Sequence, residues 1–136
     1  MAVFLMMVLV FAAAVPLALR GTQQGSNYTE AALIAQHKMD QLRSANFSTL
    51  GSPSALISAG IINGVNGDGT YDFSANGADN LASFFPAGTT GKIALAPDTS
   101  TGTMQGGVYD VTITLAWPTS GAHAGSFTLK NKIINY

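Results

Sequence analysis

From Met1 to Leu19 the chain reads MAVFLMMVLVFAAAVPLAL, without one charged or polar side chain, and the first charge is Arg20. A helix that spans a bilayer needs about 20 predominantly apolar residues, each rising about 1.5 Å. This run reaches that length. It is apolar on every side, so it must be buried in lipid or in protein. Three readings compete. A secretory signal would have a basic n-region, and none precedes the run, although Ala12-Ala13-Ala14 mimics a cleavage site. The other two are a single-pass anchor, and a helix that lives first in lipid and later inside an assembly. Pro16 predicts a kink near the end of the run.

The pattern then changes. Gly21 to Ser26 is polar and holds two glycines, each costing about 1 kcal/mol against alanine in a helix. Pro16, Gly21 and Gly25 together mark a weak segment where the helix can loosen. Asn27 followed by Glu30 resembles a capping box and predicts a fresh helix start. Tyr28, Ala32, Ala35, Met39 and Leu42 recur at spacings of four, three, four and three, one apolar stripe of an amphipathic helix over 27–45. Gln36, Lys38, Asp40, Gln41 and Arg43 fall mostly on the other faces.

Residues 46–90 are rich in Gly, Asn, Ser and Ala, with apolar islands at Ala55–Ile62 and Leu81–Phe85. They predict an irregular connection with one helical turn or short strand. The last third, 91–136, alternates as strands do. Tyr109, Val111, Ile113, Leu115 and Trp117 share one face, and Phe127, Leu129 and Ile133 share another. Lys130 and Lys132 point outward, and Lys92–Ala96 is an earlier strand. An antiparallel meander of at least three strands follows, its apolar face covered by the Tyr28–Leu42 stripe. The predicted class is α+β, with an apolar segment over 1–25 and a globular head over 26–136.

Composition narrows the function classes. The 136 residues suffice for one domain, with net charge −1 and only 10% charged residues, against roughly 25% in a typical soluble domain. Six cations are too few for a basic nucleic-acid surface. Without cysteine there is no disulfide, thiolate ligand or cysteine nucleophile. Low charge suits a subunit that packs against copies of itself, since like charges repeated at each contact would repel.

An apolar helix with a late proline, an amphipathic continuation, a loop and a closing antiparallel sheet is the order found in type IV pilins and pseudopilins. Pro16 matches their kinking proline. AALIAQHKMDQLRS, Ala31 to Ser44, is similar to their helix beyond the membrane, and YDVTITLAWP with GSFTLKNKII resembles their closing hairpin. The resemblance implies a subunit held in the inner membrane and then moved by a pilus assembly machinery into an extracellular helical filament of identical chains. Phe4, Leu5, Leu9, Phe11 and Pro16 would lie in the filament core. Pro16, Gly21 and Gly25 would correspond to the stretch that melts on assembly. Adhesion, motility or DNA uptake would follow by analogy, with a minor pseudopilin or a non-polymerising membrane-anchored binding domain as the alternatives. Aligned on Pro16, the family's glutamate falls just upstream of Met1, so the chain resembles a pilin lacking its first mature residues, including the methylated aromatic one. The family's disulfide-bounded loop has no counterpart.

No catalytic constellation stands out. His37 lies on the polar side of the helix and His123 in a Gly/Ala loop, and no nucleophile-elbow context accompanies any serine. An enzyme and a cofactor are therefore not expected. Asn66, Asp68 and Asp72 alternate with glycine and faintly resemble half of a calcium loop, but no glutamate follows to close it. An Asn/Gly/Asp turn is the plainer reading. Asn27 and Asn46 begin Asn-X-Ser/Thr sequons and are candidate glycosylation sites.

Overall fold

A computed structural model describes residues 2–73, 81–98, 107–119 and 124–135, with side chains from residue 22 onward. The chain is α+β. It begins with one helix, α1 (Ala2–Ser44), followed by two short helices, α2 (Phe47–Leu50) and α3 (Pro53–Ser58). Strands β1 (Gly64–Val65) and β2 (Tyr71–Asp72) precede the short helix α4 (Leu81–Phe84). Strands β3 (Thr90–Pro97), β4 (Val108–Trp117) and β5 (Gly125–Ile134) close the fold. Among the described residues the strands form one antiparallel sheet in the order β1-β2-β3-β4-β5, and α1 lies across β4 and β5.

The helix start expected at Asn27 is not there. Helix α1 runs unbroken from Ala2, so Asn27 and Glu30 are interior helical residues rather than a cap. Extending a helix adds one hydrogen bond per residue fixed, whereas starting a second one carries the full nucleation cost. Bridging the Gly21–Ser26 segment is the cheaper course. There the Thr29 hydroxyl donates to the Gly25 carbonyl at 3.0 Å, a local bond within the helix.

The face that α1 buries is rotated from the apolar stripe. Ala31, Ala35, Lys38, Met39 and Leu42 are buried, while Ala32 is only half-buried and Tyr28 is 47% exposed. On a helix of 3.6 residues per turn the two sets differ by roughly 40°. The rotation puts the small side chains of Ala31 and Ala35 against the sheet. It also draws Lys38 inside, where the sequence had placed it on an outer face. Lys38 is 1% exposed, and its Nζ donates to the Ile61 carbonyl at 2.9 Å and to Gln41 Oε1 at 3.0 Å. The ammonium lies 5.5 Å from the centre of the Phe73 ring. An amphipathic stem and a bonded head let a lysine occupy such a place.

The sheet meets the alternation seen in the sequence. Ile93, Val111, Ile113, Leu115, Trp117 and Ile133 are buried, and Leu95, Tyr109, Phe127 and Leu129 pack against them. Register sets Ile93 opposite Ile113 and Ile113 opposite Leu129, one continuous apolar row. Where a row must admit a large ring, its neighbour is glycine. Gly91 accommodates Phe73, whose ring atoms would lie 2.6 Å from an added Cβ, and Gly125 accommodates Trp117 in the same way.

The connection over 46–90 holds more structure than expected. Leu50, Leu56, Ile61, Ile62, Phe73, Leu81 and Phe85 all enter the core, and β1 and β2 extend the sheet. Their apolar periods are too short to reveal this from sequence.

Two variants test these contacts by urea denaturation. Gly91→Ala should cost about 1–3 kcal/mol, because Phe73 must leave its rotamer or the strands must separate. Lys38→Ala should cost at least about 1–3 kcal/mol by stranding the Ile61 carbonyl. Wild-type midpoints in either variant would refute the corresponding contact.

Candidate functional site

Two places on the head gather polar chemistry. The first is at the end of the sheet nearest the apolar run. Gln24 and Tyr28, one helical turn apart on α1, face Trp117 and Thr119 at the end of β4 and Ala124 and Gly125 at the start of β5. They enclose a cavity of about 140 Å³. The Tyr28 ring meets Trp117 edge-on, with centroids 5.1 Å apart, and Phe85 packs on the indole at 5.6 Å. Trp117 is 1% exposed, and its buried Nε1–H has no acceptor. A buried donor left without a partner costs about 1–3 kcal/mol, so this is the least satisfied polar group among the described core residues.

The second place is the outward face of β4 and β5. Asp110, Val111, Thr112, Lys130, Asn131 and Lys132 line an open depression of about 430 Å³. Lys132 Nζ reaches Asp98 Oδ2 at 2.7 Å and Asp110 Oδ1 at 3.3 Å. Its bonds to Asp98 and then Asp110 raise its pKa above the ordinary lysine value. The Lys132 and Asp110 side chains are both exposed, so solvent screens that pair and it adds little to stability, whereas the Asp98 side chain is only 7% exposed.

The residues weighed as a calcium loop form a closed turn instead. Asn66 N–H donates to the Thr70 carbonyl at 2.7 Å, and Gly69, at φ +79°, takes the left-handed conformation that the turn requires. Asp68 Oδ1 accepts from the Thr70 hydroxyl at 2.6 Å and the Thr70 amide at 3.0 Å. Asp68 Oδ2 accepts from Lys92 Nζ on β3 at 3.0 Å. Both carboxylate oxygens are thus engaged, and Asp72 sits in β2, paired in register with Gly64 and Lys92. Among the described residues, no three His, Asp or Glu side chains come together as metal ligands. The Thr70 hydroxyl, the Thr70 amide and Lys92, in that order, hold the Asp68 carboxyl below the usual aspartate range.

The other candidates are dispersed. His37 is exposed on α1, with Nε2 3.0 Å from Gln41 Nε2. His123 lies outside the described residues. Asn46 is exposed between α1 and α2, whereas Asn27 is half-buried within α1. Pro16, Gly21 and Gly25 fall inside the continuous α1. The side chains of Phe4, Leu5, Leu9, Phe11 and Pro16 lie outside the described ones. Among the described residues no helix is long and apolar enough to cross a membrane. Periodicity missed the Trp117 cavity, because its lining comes from two chain segments far apart in sequence. The one available signal was Trp117 at the end of an alternating strand, facing Gly125 across the hairpin.

No protein-family model matches the chain, and no curated protein or solved structure matches it significantly.

The Asp68 turn has a definite acid signature. Its folded-state pKa lies below the unfolded value of about 3.9. Its contribution is therefore fully present above that value and is lost as pH falls through the folded one. Carbon-detected NMR should show the Asp68 carboxyl still ionised where ordinary aspartates have protonated, and Asp68→Asn should weaken the acid dependence of stability. An ordinary Asp68 titration would refute the turn geometry. Melting temperature should be the same with calcium as with chelator, since Lys92 and Thr70 already occupy the carboxylate.

Proposed function

We propose that this chain is a structural subunit of a type IV pilus-like filament. The observation that carries the reading is the division of labour along α1. Its first part, Ala2 to Leu19, carries no charge, and its second part is the mount for an antiparallel head. Such a helix is stable in lipid because its backbone is satisfied internally and no side chain needs water. It is equally stable in a bundle of its own kind, because lipid and protein core are similarly apolar. Transfer from one to the other therefore needs no charged group to be neutralised along the run.

The partners are other copies of the chain, the inner membrane before assembly and the assembly machinery that moves subunits between them. Repeated contacts that do not close into a ring generate an open helical filament outside the cell. With a net charge of −1, neighbouring heads repel only weakly. The polar residues between Arg20 and Ser26 join the core helix to the head. Adhesion, motility or DNA uptake follows by analogy with the pilin family, and the chain has no catalytic role.

Removing detergent from the purified full chain and imaging by electron microscopy tests this. Filaments with α1 bundled along the axis are the expected result, and Leu9→Lys should abolish them by burying an unpaired charge. A chain that enters bilayers but stays monomeric at all concentrations would overturn the filament reading in favour of an anchored binding domain. Association only with other chains would assign it to the tip or base of a short filament as a pseudopilin.

A further inference from the structure

We infer that successive copies of the chain are held in register by an ion pair between Lys130 on β5 of one copy and Glu30 on α1 of the next. The inference rests on the filament reading of the chain. It names the head contact that sets how neighbouring copies are staggered.

Charge is the first argument. Arg43 lies 3.8 Å from Asp40, and Lys92 holds Asp68. Lys132 holds Asp98 and Asp110, Lys38 is bonded inside the core, and Asp72 is engaged as well. Among the described side chains, Glu30 and Lys130 are the charges left with no hydrogen bond or ion pair. They are opposite in sign. Glu30 is also half-buried, where a carboxylate without a partner is costly.

Direction is the second argument. On the helical wheel Glu30 is turned roughly 100° from buried Ala31 and roughly 140° from buried Ala35, away from the sheet. Lys130 alternates with Leu129, which packs on the core, so it leaves the opposite face of the sheet and points away from α1. The two cannot meet within one chain. Two different patches facing opposite ways make a heterologous contact, the kind that repeats along an open filament. Lys130 lines the open depression beside Thr112. Lys132 in the same depression is already held by two aspartates, so Lys130 is the cation left to receive a carboxylate.

Position is the third. Tyr28 meets Trp117, which pairs with Gly125, and Phe47 meets Tyr109, which pairs with Ile133, so α1 and β5 run the same way. Glu30 lies roughly 3 Å past Tyr28 along the helix. Lys130 lies roughly 17 Å past Gly125 along the strand. In copies with parallel helices, the pair therefore staggers one copy past the next by roughly 14 Å along α1. The apolar run Ala2–Leu19 is roughly 27 Å long as a helix, so staggered neighbours still overlap along about half of it. One contact thus sets the register of the heads while the core helices stay bundled. An ion pair of this kind contributes orientation and specificity more than affinity.

The chain has no cysteine, so an introduced pair reports this contact alone. The full chain carrying both Glu30→Cys and Lys130→Cys is assembled by detergent removal and oxidised. The expected result is a ladder of disulfide-linked dimers, trimers and longer species on a denaturing gel. Either single variant should give no linked species, and their mixture dimers only. Charge reversal is the second measurement. Glu30→Lys and Lys130→Glu should each raise the concentration needed for assembly about two- to fivefold, and the double reversal should restore it. Wild-type filaments without the ladder, or without recovery in the double reversal, overturn the ion pair alone. If the cysteine variant does not assemble, the reversal decides. Linkage in Lys130→Cys by itself shows a two-fold contact between like faces and overturns the pair too. A wild-type chain that forms no filament removes the filament reading and the contact with it.

Discussion

One helix must satisfy two burial requirements along a single axis. From Ala2 to Leu19 the sequence holds no charged or polar side chain, and over the second half of the helix only one face is apolar. A helix apolar all round is stable only where water is absent, while a one-sided helix is stable only against a matching surface. The sheet supplies that surface, and the small side chains of Ala31 and Ala35 let it approach closely. Everything else in the head is arranged around this mount. The short helices and strands between residues 47 and 85 contribute to the same core.

Lys38 shows how strict the packing is. The helix could have turned to keep its apolar stripe centred on the sheet. It turns instead to bring Ala31 inward in place of Ala32 and Tyr28, and Lys38 goes with it. Burial of an ammonium is costly unless its hydrogen bonds are replaced. Here the Ile61 carbonyl and Gln41 replace them, which also fastens α1 to the segment entering β1. The lysine thus ties the helix to the least regular part of the chain. The glycines at 91 and 125 express the same principle in the sheet, where a side chain is omitted so that an aromatic ring can fill its place.

The candidate sites were unevenly legible. Asn66, Asp68 and Asp72 looked like ligands because oxygen donors alternated with glycine, yet Asp68 is engaged by its own turn and by Lys92, which lies on another strand. No local pattern announces such a partner. The Trp117 cavity was not legible at all, since Gln24 and Tyr28 come from the helix while the remaining lining comes from the hairpin more than eighty residues later. By contrast, the strands from Thr90 to Ile134 were readable, because alternation over eight to ten residues has one structural meaning when one face is covered.

The sequence by itself determined that residues 1–19 carry no charged or polar side chain, that an amphipathic helix occupies about 27–45, and that the last third is an antiparallel meander. Each of these rests on periodicity or on the solvation of side chains, which are local properties. Only the tertiary structure decided that α1 bridges Gly21 and Gly25 without a break, which face of it meets the sheet, and that Lys38 and the middle segment belong to the core. Those outcomes depend on volumes and hydrogen-bond partners brought together from distant positions. A small side chain at the right depth outweighs a hydrophobic one at the wrong angle.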